Sequence, residues 1–94
     1  MKEELIDILL EIKSKITDTS EMMWTTYDTP QDLNKDIDNF IFELDQDNLE
    51  VMKDINTHFL PTGTFQEHAM QNGWTDEYMN LAARFDKFYA ELKF

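Results

Sequence analysis

Few residues in this chain have the chemistry for catalysis or ligation. There are two histidines, His58 and His68, and no cysteine. One stretch, LPTGTFQEHAMQNGWTDEY from Leu60 to Tyr78, gathers a proline, both glycines, one histidine and one tryptophan. A histidine beside a carboxylate is a common acid/base device near neutral pH, and Glu67 with His68 and Asp54 with His58 are such pairs. A metal would need ligands on one helical face, as in HExxH, but the histidines stand ten residues apart on different predicted helices. The segment PTGT at 61–64 lacks the lysine of a phosphate-cradling loop, and an acidic chain opposes an anion.

The acid-rich runs DIDN at 36–39 and DQDN at 45–48 raise the question of calcium. An EF-hand loop needs an oxygen ligand at its fifth position, glycine at its sixth and glutamate at its twelfth. Counting from Asp36, the fifth and sixth residues are Phe40 and Ile41; from Asp45 they are Leu49 and Glu50. Ser14 and Ser20 lie in no strand-turn-helix elbow, and there is no thiolate or glycine-rich oxyanion loop. The sequence thus predicts no catalytic residue, cofactor or metal, and a non-enzymatic protein. A small-molecule or metal site near His58, His68 and Glu67 stands as the third functional reading.

Helical periodicity supplies the frame for these residues. Leu5, Ile8, Leu9, Ile12 and Ile16 predict an amphipathic helix over 2–17, with Ile6 and Leu10 widening its apolar face. Thr29 as cap, Pro30 at the first helical position and Asp32 near the positive end of the dipole start a second helix, 30–45. Its core face is Leu33, Ile37, Phe40, Ile41 and Leu44. After DQDN, Asp47 and Glu50 suggest a capping box for a third helix, 48–60, with Leu49, Met52, Ile55 and Phe59 inward. Residues 18–29, including SEMMWTTYD, have no clean period and read as an ordered connector with room for one helical turn.

In the stretch from Leu60 to Tyr78, Pro61 stops the third helix and suits a tight turn with Gly63. Thr64 and Glu67 then predict a capping box for a short helix, 65–72, and Asn72-Gly73 predicts its left-handed end. Thr75 is the expected cap of a last helix, 76–93, with Trp74 and Met79 at the spacing of a hydrophobic staple. Tyr78, Leu81, Ala82, Phe85, Phe88, Tyr89 and Leu92 form its inward stripe. The expected fold is all-α: a single-domain bundle of four to five helices spanning 1–94.

Composition agrees with a folded core, since 41% of the 94 residues are hydrophobic and 13% aromatic. Twenty acids against eight bases give a formal charge of −12, which disfavours nucleic acid and anionic membrane surfaces. The absence of cysteine suits a reducing compartment, and the opening MKEELIDILLEIK lacks a signal peptide's apolar region, so a cytoplasmic protein with no membrane span is expected. Residues 18–50 carry ten acids and one base, Lys35. Within them Asp28, Asp32, Asp36 and Glu43, with Met23, Trp24, Tyr27 and Phe42, are the candidate contacts for a basic protein partner. Aromatics of a connector also commonly cover a core. The alternative reading is a homodimer or larger homo-oligomer, with Ile6 and Leu10 as the self-association seam.

Overall fold

The computed structural model describes residues 2–92. Five helices follow one another: α1 (Lys2–Lys15), α2 (Pro30–Asp45), α3 (Val51–Phe59), α4 (Thr64–Asn72) and α5 (Thr75–Leu92), with no strand among the described residues. The expected all-α bundle is therefore observed. Helix α1 lies against both α2 and α5, α3 packs on α2, α4 and α5, and α4 packs on α5. Two ion pairs, Lys2–Asp47 at 3.2 Å and Lys13–Asp38 at 2.6 Å, record the antiparallel register of α1 and α2. Both pairs are solvent-exposed, so they report the alignment more than they stabilise it.

The apolar stripes meet in one cluster. Leu5, Ile8, Leu9 and Ile12 of α1 are buried together with Leu33, Ile37, Phe40 and Leu44 of α2 and Met52, Ile55 and Phe59 of α3. Each such side chain contributes about 1.5–3 kcal/mol when removed from water. The other end of the core is aromatic: Phe59 stacks on Phe85 at 4.4 Å and meets Phe65 edge-on at 5.0 Å.

Helix ends are where the observed and expected structures part. Thr29 caps α2 as its sequence predicts, its side chain accepting from the Asp32 N–H at 3.1 Å. Thr29→Ala is expected to cost about 1 kcal/mol, seen as a lower urea midpoint with an unchanged slope. Helix α1 stops two residues early, because the Thr17 N–H turns to the Ser20 hydroxyl, although Ile16 stays buried. The capping box of Asp47 and Glu50 does not form. Asp47 instead adopts left-handed geometry (φ 61) and closes α2, so α3 begins at Val51 and Leu49 is exposed.

Similarly, Thr64 is the first helical residue of α4, its cap position is Gly63, and no side chain caps there. Thr75 is likewise the first residue of α5 and Trp74 precedes it, with the Tyr78 N–H bonded to the Trp74 carbonyl at 2.9 Å. The staple of Trp74 with Met79 is absent: Met79 is exposed, and Trp74 packs on Tyr78 with ring centroids 6.1 Å apart. Gly73 does end α4 in the left-handed form (φ 80). The expected end of the last helix at 93 lies outside the described residues.

Candidate functional site

The connector between α1 and α2 is neither helical nor loose. Asn72, at the end of α4, clamps it with two bonds: its Oδ1 accepts from the Glu21 N–H at 2.8 Å and its Nδ2 donates to the Glu21 carbonyl at 3.0 Å. Next to it the Gln71 Oε1 accepts from the Trp24 N–H at 2.8 Å. A short turn, with the Thr25 N–H bonded to the Met22 carbonyl, buries Met22 and turns Met23 and Trp24 outward, 82% and 54% exposed. A cleft of about 360 Å³ opens along this segment, lined in part by Met23, Tyr27, Asp28 and Pro30.

Tyr27 ties the end of the connector to two helices at once. Its hydroxyl lies 2.6 Å from the Asp36 Oδ2 on α2 and 2.9 Å from the His58 Nε2 on α3. The His58 Nδ1 lies 3.0 Å from the Asp54 carbonyl, which can only accept, so Nδ1 carries a proton. A neutral His58 therefore offers a bare Nε2, and the single Tyr27 proton has two acceptors. Burial lowers the pKa of His58, against the bond to the Asp54 backbone and the charges of Asp36 and Asp54. Burial, then the bond to Asp36, raises that of Tyr27 well above the usual phenol range. The network anchors the connector to α2 and α3, with one hydroxyl proton between the Asp36 carboxylate and the His58 Nε2.

The expected acid/base pairs are not the ones observed. His58 meets the backbone carbonyl of Asp54 and not its carboxylate, while His68 is bonded to Trp74, whose Nε1–H donates to the His68 Nδ1 at 2.9 Å. Among the described residues no three potential ligands come together as a metal site.

The two long edges of α2 differ in charge. On the edge beside α1, Lys13 neutralises Asp38. On the edge beside α3, the donors are neutral: Tyr27 serves Asp36, and the Asn48 Nδ2 serves Glu43 at 2.6 Å. Asp32, Asp36 and Glu43 together span about 16 Å along α2. At its far end lies a second cleft of about 250 Å³ lined by Asn39, Glu43, Asn48, Glu50, Val51 and Asp54. The Lys53–Glu50 pair, at 3.5 Å, lies at this cleft.

The candidate partner contacts therefore fall into three places. Tyr27 and Asp28 line the first cleft and Glu43 the second, Asp36 is bonded to Tyr27, Asp32 lies one turn before Asp36 on α2, and Met23 and Trp24 project from the connector. Phe42, 59% exposed, faces away on the α1 side of α2. Ile6 packs partly on the core while Leu10 is exposed. Sequence reading missed Asn72, Gln71 and His58 as supports of the connector, because each acts across 31 to 51 positions of the chain. No helix of the described residues is long and apolar enough to cross a membrane. No known protein family, curated protein or solved structure matches this chain.

Proposed function

We propose that this is a small non-catalytic binding protein whose acidic α2 edge engages a basic protein, acting by occlusion as an inhibitor, immunity factor, antitoxin or nucleic-acid mimic does. The observation that carries the reading is the unequal charge of the two edges of α2. On the α1 edge Lys13 pairs with Asp38, whereas Asp36 and Glu43 on the α3 edge are held by neutral donors and remain available to a cation. Uncompensated carboxylates attract basic surfaces over a Debye length of about 8 Å, and Trp24, half exposed beside them in sequence, is the residue type that anchors interfaces. A cytoplasmic location belongs to the same reading, since a chain without cysteine suits a reducing compartment.

The test compares capture from lysate by the wild type with capture by Asp32→Lys/Glu43→Lys, which leaves Tyr27, Asp36 and His58 in place. Expected is a basic protein held at low salt by the wild type, with affinity reduced about tenfold or more in the variant and a flatter salt dependence. Equal retention by both proteins, at circular dichroism matching the wild type, overturns the reading.

A homo-oligomeric scaffold is the second reading, favoured by one observation: Leu10 and Phe42, both exposed, belong to neighbouring antiparallel helices whose ion pairs leave that face less charged. Sedimentation that is independent of concentration, and unchanged by Leu10→Asp, removes it.

A further inference from the structure

We propose that His68 is an acid-released pin: proton uptake at His68 parts it from Trp74 and opens the α4–α5 corner together with the connector clamped to it. The proposal does not depend on any partner. His68 is fully buried, and its Nδ1 is the acceptor for the Trp74 Nε1–H at 2.9 Å. The ring's own proton therefore sits on Nε2, which is buried without an acceptor. A second proton has one place to go, the Nδ1 lone pair, and taking it excludes the Trp74 bond. The resulting imidazolium would present two donors and no acceptor in a buried site.

The groups around the ring do nothing to soften this. Trp74 faces it from the turn before α5 at a centroid distance of 5.6 Å, and Tyr78 of α5 packs behind Trp74. On its own helix, the Asn72 Nδ2 bonds to the His68 carbonyl at 2.9 Å. Burial alone lowers the pKa of His68, with no carboxylate or base contributing. The folded form thus binds this proton more weakly than the unfolded chain. Stability is full above the unfolded pKa of about 6.5 and is lost as pH falls from there toward the folded value. His58 shifts in the same direction, but with Asp36, Asp54 and Tyr27 facing it.

Opening spreads because one turn of α4 does several jobs. Residues 68–72 accept the Gly73 and Trp74 N–H groups at the Ala69 carbonyl and hold the connector through Gln71 and Asn72. Losing Trp74 from this turn frees Glu21 and Trp24 with it.

The experiment uses Trp24→Phe as background, so that Trp74 is the only indole fluorophore. From pH 7 to 5.5, above the main carboxylate range, emission is expected to shift to the red, and the unfolding constant in urea to rise up to about tenfold per pH unit for each histidine. Adding His68→Gln, whose amide oxygen accepts from Trp74 without titrating, is expected to abolish the emission shift and remove one proton from the linkage. An unchanged shift with His68→Gln overturns the proposal. Where that variant fails to fold, the imidazole nitrogen resonances of the background protein decide instead. An Nε2–H tautomer that does not titrate while the corner is closed supports the pin, and an Nδ1–H tautomer or ordinary titration in the intact fold refutes it.

Discussion

Phe65→Ala is expected to cost about 3–5 kcal/mol, a large part of the roughly 5–15 kcal/mol that holds a domain together. Phe65 is fully buried at the centre of the aromatic half of the core. Its ring meets Phe59 at 5.0 Å and His58 at 5.1 Å, so it supports both the α3–α4 packing and the imidazole that anchors Tyr27. Truncation leaves a void bounded by rings that cannot collapse without parting from other partners, since Phe59 is already stacked on Phe85 at 4.4 Å. Phe42→Ala is the control. The same residue type at 59% exposure is expected to change stability by about 0.5 kcal/mol or less. Urea unfolding of the two variants checks the pair; equal losses would mean that the aromatic core is wrongly placed.

The exposure of Phe42 was readable from spacing alone. Phe40 and Phe42 differ by two positions, which puts them on opposite faces of a helix, and Phe40 is buried while Phe42 is exposed. The same arithmetic put Asp32, Asp36 and Glu43 on one edge of α2. It could not reveal what lies opposite that edge. That Tyr27 and His58, 31 positions apart, both reach Asp36's neighbourhood depends on how α3 folds back after the turn at Asp47. Nor could it separate Tyr78 from Met79 as the partner of Trp74. A staple presumes that the chain enters the helix at a fixed angle, and the bond from Trp74 to His68 sets a different one.

The turn between α3 and α4 yields the other large effect, and it reverses the usual assignment of a glycine. The positive φ of this turn falls on Thr62, at 62°, and not on Gly63, whose φ is −75°. Gly63 is needed for space. A Cβ there would stand 2.7 Å from the Leu60 carbonyl oxygen, 2.8 Å from that of His58 and 2.9 Å from that of Thr57, all of them backbone atoms. Gly63→Ala is therefore expected to cost at least the upper part of the about 1–3 kcal/mol typical of overpacking, because no side chain can swing away to relieve it.

Gly73 is the opposite case, with left-handed backbone and open space around it. Asparagine, which tolerates that backbone, is expected to serve at 73 with a loss below about 1 kcal/mol, whereas Gly63→Asn is expected to fail as Gly63→Ala does. Thr62 carries the strain of a β-branched residue in left-handed geometry, held there by the bond from its N–H to the Gln66 Oε1 at 2.7 Å. Thr62→Gly relieves that strain and is expected to raise the urea midpoint, even though glycine loses more entropy on folding. A lower midpoint for Thr62→Gly, or a Gly63→Ala protein as stable as the wild type, would mean that α4 enters the core by a different turn.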